Sequence, residues 1–260
     1  IGHLGAVQAQ DYGPAKWALA QRIEENADAV LEQAFSDGKL IRTHVLRPTW
    51  HFVRPQDLRW MLELTAPRVH AFNRHYDRKE GLDAALHRRC EDLIAAELQG
   101  RNYLTRKEIG AVLERSGVEV SAMRVTLLLM HAELEGLICS GPRRGKQQTY
   151  ALIDERISPA RAMDRAEALA ELTRRYFTSH GPATVKDFQW WSSLSAPDVR
   201  LGLEAVGDGL GREVMGGIAY WAADSAQNRP EEEGRVQPGG RVLAADATRT
   251  AVRIDAILDA

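Results

Sequence analysis

From Gly13 onward, apolar residues recur at helical spacing in blocks, and short β-branched and aromatic runs separate the blocks. Ile1 to Tyr12 is small and apolar around two glutamines. Gly13-Pro14 then opens a helix, since proline is tolerated in a first turn. Its apolar side is expected to be Trp17, Leu19, Ala20 and Ile23. A second helix is expected from about Asn26 to Phe35, with Val30, Leu31 and Ala34 inward, and Asp37-Gly38 marks a turn. Leu40 to Val53 is dense in strand-forming residues and predicts two short strands with Pro48 between them. Pro55-Gln56-Asp57 starts another helix, Leu58 to Leu64. The helical pattern then runs to Leu98, with Pro67 and Gly81 as interruptions.

The pattern is clearest from Tyr103 to Ile157. Thr105 followed three residues later by Glu108 matches a capping box. Ile109, Val112 and Leu113 are the buried side of the helix it opens, and Ser116-Gly117 ends it. Ser121 caps a second helix with Val125, Leu128, Leu129, Ala132 and Leu134 inward, and Gly136 stops it. Leu137 to Ser140 predicts a strand, residues 141–146 a basic turn, and Gln147 to Ile153 the return strand. This order is that of a winged helix-turn-helix. Leu169 to Val206 repeats the helical part, with helices to Ser179, from Thr184 to Trp191, and after Ser195-Ala196-Pro197. Val214 to Tyr220 is expected to be a first wing strand.

The fold class expected is therefore mainly α with short β-hairpins, as tandem winged helix-turn-helix units. They span 1–64, 103–160 and 161–225, with a helical linker over 65–102. Residues 226–260 form a tail without assignment; Gln227 to Gly240 is polar and rich in Pro, Glu and Gly, the composition of a disordered linker. The chain begins with Ile1 rather than Met, so a preceding piece is expected.

Composition narrows the function classes. A content of 44% hydrophobic and 27% charged residues suits a packed core. No apolar run is long enough to span a membrane, and no signal peptide is evident, so a cytoplasmic, nucleoid-associated protein without membrane partners is expected. Cys90 and Cys139 make neither a metal pattern nor a disulfide framework. His70 and His75 lie five apart and do not stack on a helix, so no metal and no cofactor are expected. The net charge of −2 argues against nucleic-acid binding, but the charges are unevenly placed. Residues 39–60 carry five Lys/Arg against one acid, and residues 101–148 carry eight against five.

Several segments, in order along the chain, resemble the winged-helix DNA glycosylases of the AlkZ and YcaQ type. They are Gly5-Ala6-Val7-Gln8-Ala9-Gln10, the stretch Arg47-Pro48-Thr49-Trp50-His51-Phe52-Val53, and Arg59-Trp60-Met61-Leu62-Glu63-Leu64. Thr149-Tyr150-Ala151-Leu152, Gly181-Pro182-Ala183-Thr184 and Trp190-Trp191 also match. The resemblance runs from Leu4 to about Trp221. It implies three tandem winged helices in a C-shaped clamp around duplex DNA, and hydrolysis of the bond between deoxyribose and an alkylated purine. Some members also unhook interstrand crosslinks. Gln8-Ala9-Gln10 places the chain in the QxQ subtype, with Gln8 and Gln10 as catalytic residues. The chain departs from the family pattern at both ends: the helix expected before Gly5 and the usual segment after Trp221 are not recognisable.

Glutamines suit this chemistry. A purine alkylated at a ring nitrogen is cationic and leaves without being protonated. What remains is to place a water against the sugar carbon and to stabilise an oxocarbenium-like state. A Gln oxygen accepts from that water, and its amide donates to sugar or phosphate oxygens. At i and i+2 of an extended segment the two share a face. The alternative is two surface glutamines before a helix. Arg47, His51, Arg124 and the wing residues Arg143, Arg144 and Lys146 are the candidate DNA contacts, mostly to phosphate. Trp50 and His51 read first as core, as does Trp190-Trp191, and the wing cations are equally readable as a solvated turn. Lys16, inside the next helix, is the lysine nearest the glutamines, so a monofunctional hydrolase acting as a monomer on double-stranded DNA with alkylated bases is expected. The competing functions are a winged-helix transcription regulator and a non-catalytic binder of damaged DNA.

Overall fold

The computed structural model describes residues 1–23 and 27–223; the expectations for 224–260 lie outside the described residues. A short strand β1 (Val7–Gln8) leads into helices α1 (Tyr12–Ala20) and α2 (Ala27–Ser36) and the hairpin β2 (Ile41–His44) and β3 (Trp50–Val53). The long helix α3 (Pro55–Lys79) and α4 (Ala84–Leu98) follow. Strand β4 (Leu104–Thr105), helices α5 (Arg106–Arg115) and α6 (Ala122–Leu134), and strands β5 (Ile138–Ser140) and β6 (Thr149–Leu152) come next. One turn of helix, α7 (Ile153–Arg156), then precedes α8 (Arg165–His180), α9 (Val185–Ser192) and α10 (Ala196–Val206), and the hairpin β7 (Leu210–Met215) and β8 (Ile218–Ala223) closes the described chain.

One topology recurs three times. The sheets run β1-β3-β2 and β4-β6-β5, all antiparallel. In the third set Ala183, just before α9, bridges Trp221 of β8, which pairs with β7. Each time a short extended segment precedes two helices and a hairpin, and pairs with the hairpin's second strand.

Local chemistry explains where the helices start. Thr105–Glu108, Asp164–Glu167 and Thr184–Asp187 form reciprocal capping boxes, and Ser121 accepts from the Arg124 amide. Gly81 and Gly136 adopt the left-handed conformation that ends α3 and α6. Pro67 does not interrupt its helix: α3 runs through it. Pro67 lies on the exposed face, so the carbonyl of exposed Glu63 that it leaves without a donor meets water, while Leu64, Ala66 and Val69 bury the other face. Val214 to Tyr220 is not one strand; Gly216-Gly217 turns the chain between β7 and β8.

Three apolar clusters hold the fold. In the first set Leu19, Leu31, Phe35 and Phe52 pack together with Tyr12 at the edge. Trp17 is 65% exposed and Val30 also faces outward, against the expectation for both. Ala15 and Leu19 are one turn apart on the buried side, and Trp17, two residues from each, falls opposite. α4 contributes Cys90, Ile94 and Leu98 to the core it shares with Ile109, Leu113 and Leu128. The largest cluster joins α3 to α8 and α9 through Leu58, Met61, Leu172, Phe177 and Phe188. Asp57, at the start of α3, is buried between Arg54 and Arg175, each 2.7 Å away. No described helix is long and apolar enough to cross a membrane.

Candidate active site

From Val7 to Gln10 the chain alternates as an extended strand does: Val7 is half-buried and Ala9 buried, while Gln8 and Gln10 are exposed. Gly5 enters it with a φ of +75°, and a Cβ there would meet the Trp191 ring at 3.4 Å. The contact is an ordinary one; it is the left-handed φ that favours glycine here. Gln8 pairs with His51 and Val7 with Phe52, and the Ala9 amide donates to the Trp50 carbonyl at 2.7 Å.

Both glutamine oxygens are tied down. Gln8 Oε1 accepts from Arg47 Nη2 at 3.0 Å, and Gln10 Oε1 accepts from the Trp50 amide at 3.3 Å. Both partners are donors only, so the orientation of each amide is decided by chemistry. Neither amide NH2 group donates to any described residue, and each oxygen keeps one lone pair. The two side chains therefore offer outward donors with one remaining acceptor each.

Beneath them lies Arg42 on β2, only 6% exposed. Its Nε donates to the Ala9 carbonyl and its Nη2 to the Gln10 carbonyl, both at 2.8 Å, and its Nη1 donates to Gln148 Oε1 just before β6. The guanidinium lies 3.5 Å from the Trp50 ring centroid. Burial pushes its pKa down to about 10, which leaves it charged at neutral pH. The Arg42 amide also donates to Ser140 Oγ on β5, at 2.9 Å. Trp50 Nε1 lies 2.6 Å from His44 Nδ1, which itself lies 2.5 Å from the buried carboxylate of Glu133 on α6.

Arg47 is gathered into the same place. Its guanidinium stands 4.5 Å from the centroid of Trp190, which is 57% exposed. The core reading holds for Trp191, packed against Tyr176, His180 and Phe188, but not for Trp190. His51 is buried. Its Nδ1 donates to the Thr49 carbonyl at 2.9 Å, and Nε2 has no partner. Burial, reinforced by Arg47, pushes its pKa down to about 3. A neutral acceptor stands here rather than a cation for phosphate.

The remaining candidates divide. Arg143 turns back to the first set of elements, over the Tyr12 ring at 3.9 Å and 3.3 Å from Glu32. Arg144 is half-exposed and pairs with Glu108 at 2.6 Å, and Lys146 is exposed. Arg124 points inward: it donates to the Glu119 carbonyl at 2.8 Å and the Glu80 carbonyl at 2.5 Å, joining the end of α3 to the loop before α6. It is not available at the surface. Beside Trp50 and Gln148 a cavity of about 600 Å³ opens between the starts of α5 and α6, lined also by Arg106, Lys107 and Tyr150.

The model of the family described as DNA glycosylase AlkZ-like matches residues 1–246. This chain belongs to the AlkZ-like DNA glycosylase family. As an AlkZ-like chain it is 27% identical over 239 residues to a Streptomyces sahachiroi protein named interstrand DNA cross-link repair glycosylase, covering 87% of this chain and 64% of that protein. The solved structure of Streptomyces sahachiroi DNA glycosylase AlkZ superimposes with a TM-score of 0.71 at 25% identity, over 87% of this chain and 63% of that one. The AlkZ-like chain thus spans a little under two thirds of the length of these relatives. Its mainly helical fold with small antiparallel sheets is the same. Sequence reasoning missed Arg42 in this AlkZ-like site. The available signal was an arginine amid Ile41, Thr43 and Val45, a run otherwise suited to burial, where a charge requires partners.

Proposed function

We propose that the chain is a monofunctional DNA glycosylase that hydrolyses the N-glycosidic bond of alkylated, cationic purines in double-stranded DNA. The observation that carries this is the pair Gln8 and Gln10: exposed on one extended segment, oxygens pinned by Arg47 and Trp50, amides unspent. The amides donate to sugar or phosphate oxygens, and the remaining lone pairs hold a water against the sugar carbon. Water oxygen bonds to C1′, the bond from C1′ to the purine nitrogen breaks, the base leaves neutral, and the water's proton passes to solvent. No general base is required, because the leaving group already carries positive charge. Lys16 is held by Asp28 and Glu32 at 2.7 and 2.6 Å, which removes it as a Schiff-base nucleophile.

In this proposal the three recurring topological sets are tandem winged helices arranged as a clamp on the duplex. Arg47, Arg144 and Lys146 contact phosphate, His51 and Arg143 shape the surface behind them, and Arg124 is structural. The name of the relative motivates interstrand crosslinks as a second substrate class. The test is incubation of the protein with a duplex carrying one 7-methylguanine. Heat- and alkali-labile abasic sites, with no borohydride-trapped complex, are the expected result. Lesion binding without base release would instead identify a damage-binding protein.

A further inference from the structure

Away from the glutamines, three helices bring three histidines and three carboxylates together. α3 supplies His70 and Asp77, α4 supplies His87 and Glu91, and α6 with its C-cap supplies His131 and Glu135. His131 stacks on His87 with centroids 3.8 Å apart, and its other neighbour is His70 at 4.7 Å. Buried imidazoles ordinarily find partners for their nitrogens. His87 is 5% exposed and neither of its nitrogens has one.

We propose that His70, His131 and Glu135 form a binding site for a divalent transition-metal ion, zinc by its ligand types. Their ligand atoms lie within 4.8 Å of one another. Tetrahedral zinc with bonds near 2.0–2.1 Å needs ligand atoms roughly 3.4 Å apart. The half-exposed Glu135 side chain, at the end of α6, has the freedom to swing in. His131 and Glu135 are four apart on one helix face, a spacing that presents two ligands together. His131 Nδ1 lies 2.7 Å from Glu91 Oε1. That contact keeps the proton on Nδ1 and leaves Nε2 as a lone pair, the carboxylate–histidine arrangement that orients metal ligands.

His70 adds the second observation. Its Nε2 is 2.9 Å from Glu135 Oε1, yet it has no hydrogen bond of acceptable geometry. The two atoms already converge, and an opening to roughly 3.4 Å makes them two ligands of one ion. An entry path exists: a cavity of about 290 Å³ is lined by His70, Glu135, Glu63 and Arg59. The bound ion would staple the middle of α3 to the end of α6, on elements other than those carrying Gln8 and Gln10.

The test uses the full chain, stripped with chelator and titrated with ZnCl2 and, in parallel, with Co2+. One saturable equivalent is expected, with the visible absorption of four-coordinate cobalt. Zinc at about a hundred times its Kd should raise Tm by roughly 5–10 °C. Glu135→Gln, half-exposed and tolerable to the fold, should weaken binding at least tenfold. His70→Gln should abolish it, and the exposed His75→Gln should change nothing. The absence of a saturable equivalent overturns the proposal. So does binding that survives unchanged in the Glu135→Gln protein.

Discussion

Replacing Arg42 by Met keeps most of the side-chain volume and removes the guanidinium that holds the backbone under both glutamines. Three hydrogen bonds disappear: to the Ala9 carbonyl, the Gln10 carbonyl and Gln148. A hydrogen bond to a charged group contributes about 1.5–3 kcal/mol net. The Gln10 carbonyl and Gln148 lie near the surface and regain water, whereas Ala9 is fully buried and its carbonyl does not. The expected loss is therefore about 2–4 kcal/mol, well short of three full bonds. In a domain of this size that lowers Tm by roughly 5–15 °C. The effect on rate has a separate origin. Freed of its anchor, Gln10 drifts, and a displacement of about 1 Å at a reacting centre costs about a hundredfold, or ~2.7 kcal/mol. Arg42→Lys should fall between, because an ammonium cannot reproduce the planar fork that reaches two carbonyls at once. The assay is single-turnover release of 7-methylguanine at a temperature where circular dichroism shows both variants folded. If folded Arg42→Met excises within about twofold of wild type, Arg42 is a structural residue only, and the account of a pinned glutamine segment is wrong.

Gln8→Ala and Gln10→Ala should each slow excision about ten- to a hundredfold, ~1.4–2.7 kcal/mol, with Tm almost unchanged, since both side chains are exposed; wild-type rates in both would remove their catalytic role. The wild-type rate should be flat across neutral pH, and Gln10→Asp should retain activity while acquiring a pH dependence near the carboxylate pKa. Arg144→Ala with Lys146→Ala should reduce the salt dependence of DNA binding with little change in Tm, whereas Arg143→Ala should lower Tm with little change in that salt dependence, because it removes the contacts to Glu32 and Tyr12; equal Tm for the two variants would refute that division. Burial pushes the Asp57 carboxyl up, but Arg175 and Arg54 outweigh it and hold the pKa below its ordinary value. Its contribution is therefore full above the ordinary carboxylate range and is lost as pH falls through and below it. Asp57→Asn should cost about 3–5 kcal/mol at pH 7 and progressively less toward pH 3, measured by urea unfolding; a pH-independent cost would refute the linkage.

The order of elements was legible in the chain because its signals are local. Capping boxes join residues three apart, left-handed glycines end helices at Gly81 and Gly136, and β-branched runs mark both early hairpins. The glutamine segment was legible for the same reason: alternation is a property of consecutive residues, and Gln8 and Gln10 came out on one exposed face. The partners of those residues were not legible. Gln8 meets Arg47, 39 positions away, Arg42 meets Gln148, 106 away, and Asp57 meets Arg175, 118 away. The histidine cluster has the same character: spacing along one helix considers His70 with His75, while packing of α3 on α6 sets His70 beside His131. Orientation also escaped. Arg124 and Arg143 look like free cations in sequence, and each instead donates to groups on an element brought against it by packing. A side chain's nearest neighbours are chosen by how whole faces pack, and buried charge goes wherever that packing leaves an acceptor within reach. Residue type and spacing determine which chemistry a position can offer; the tertiary contact determines whether that chemistry is already spent.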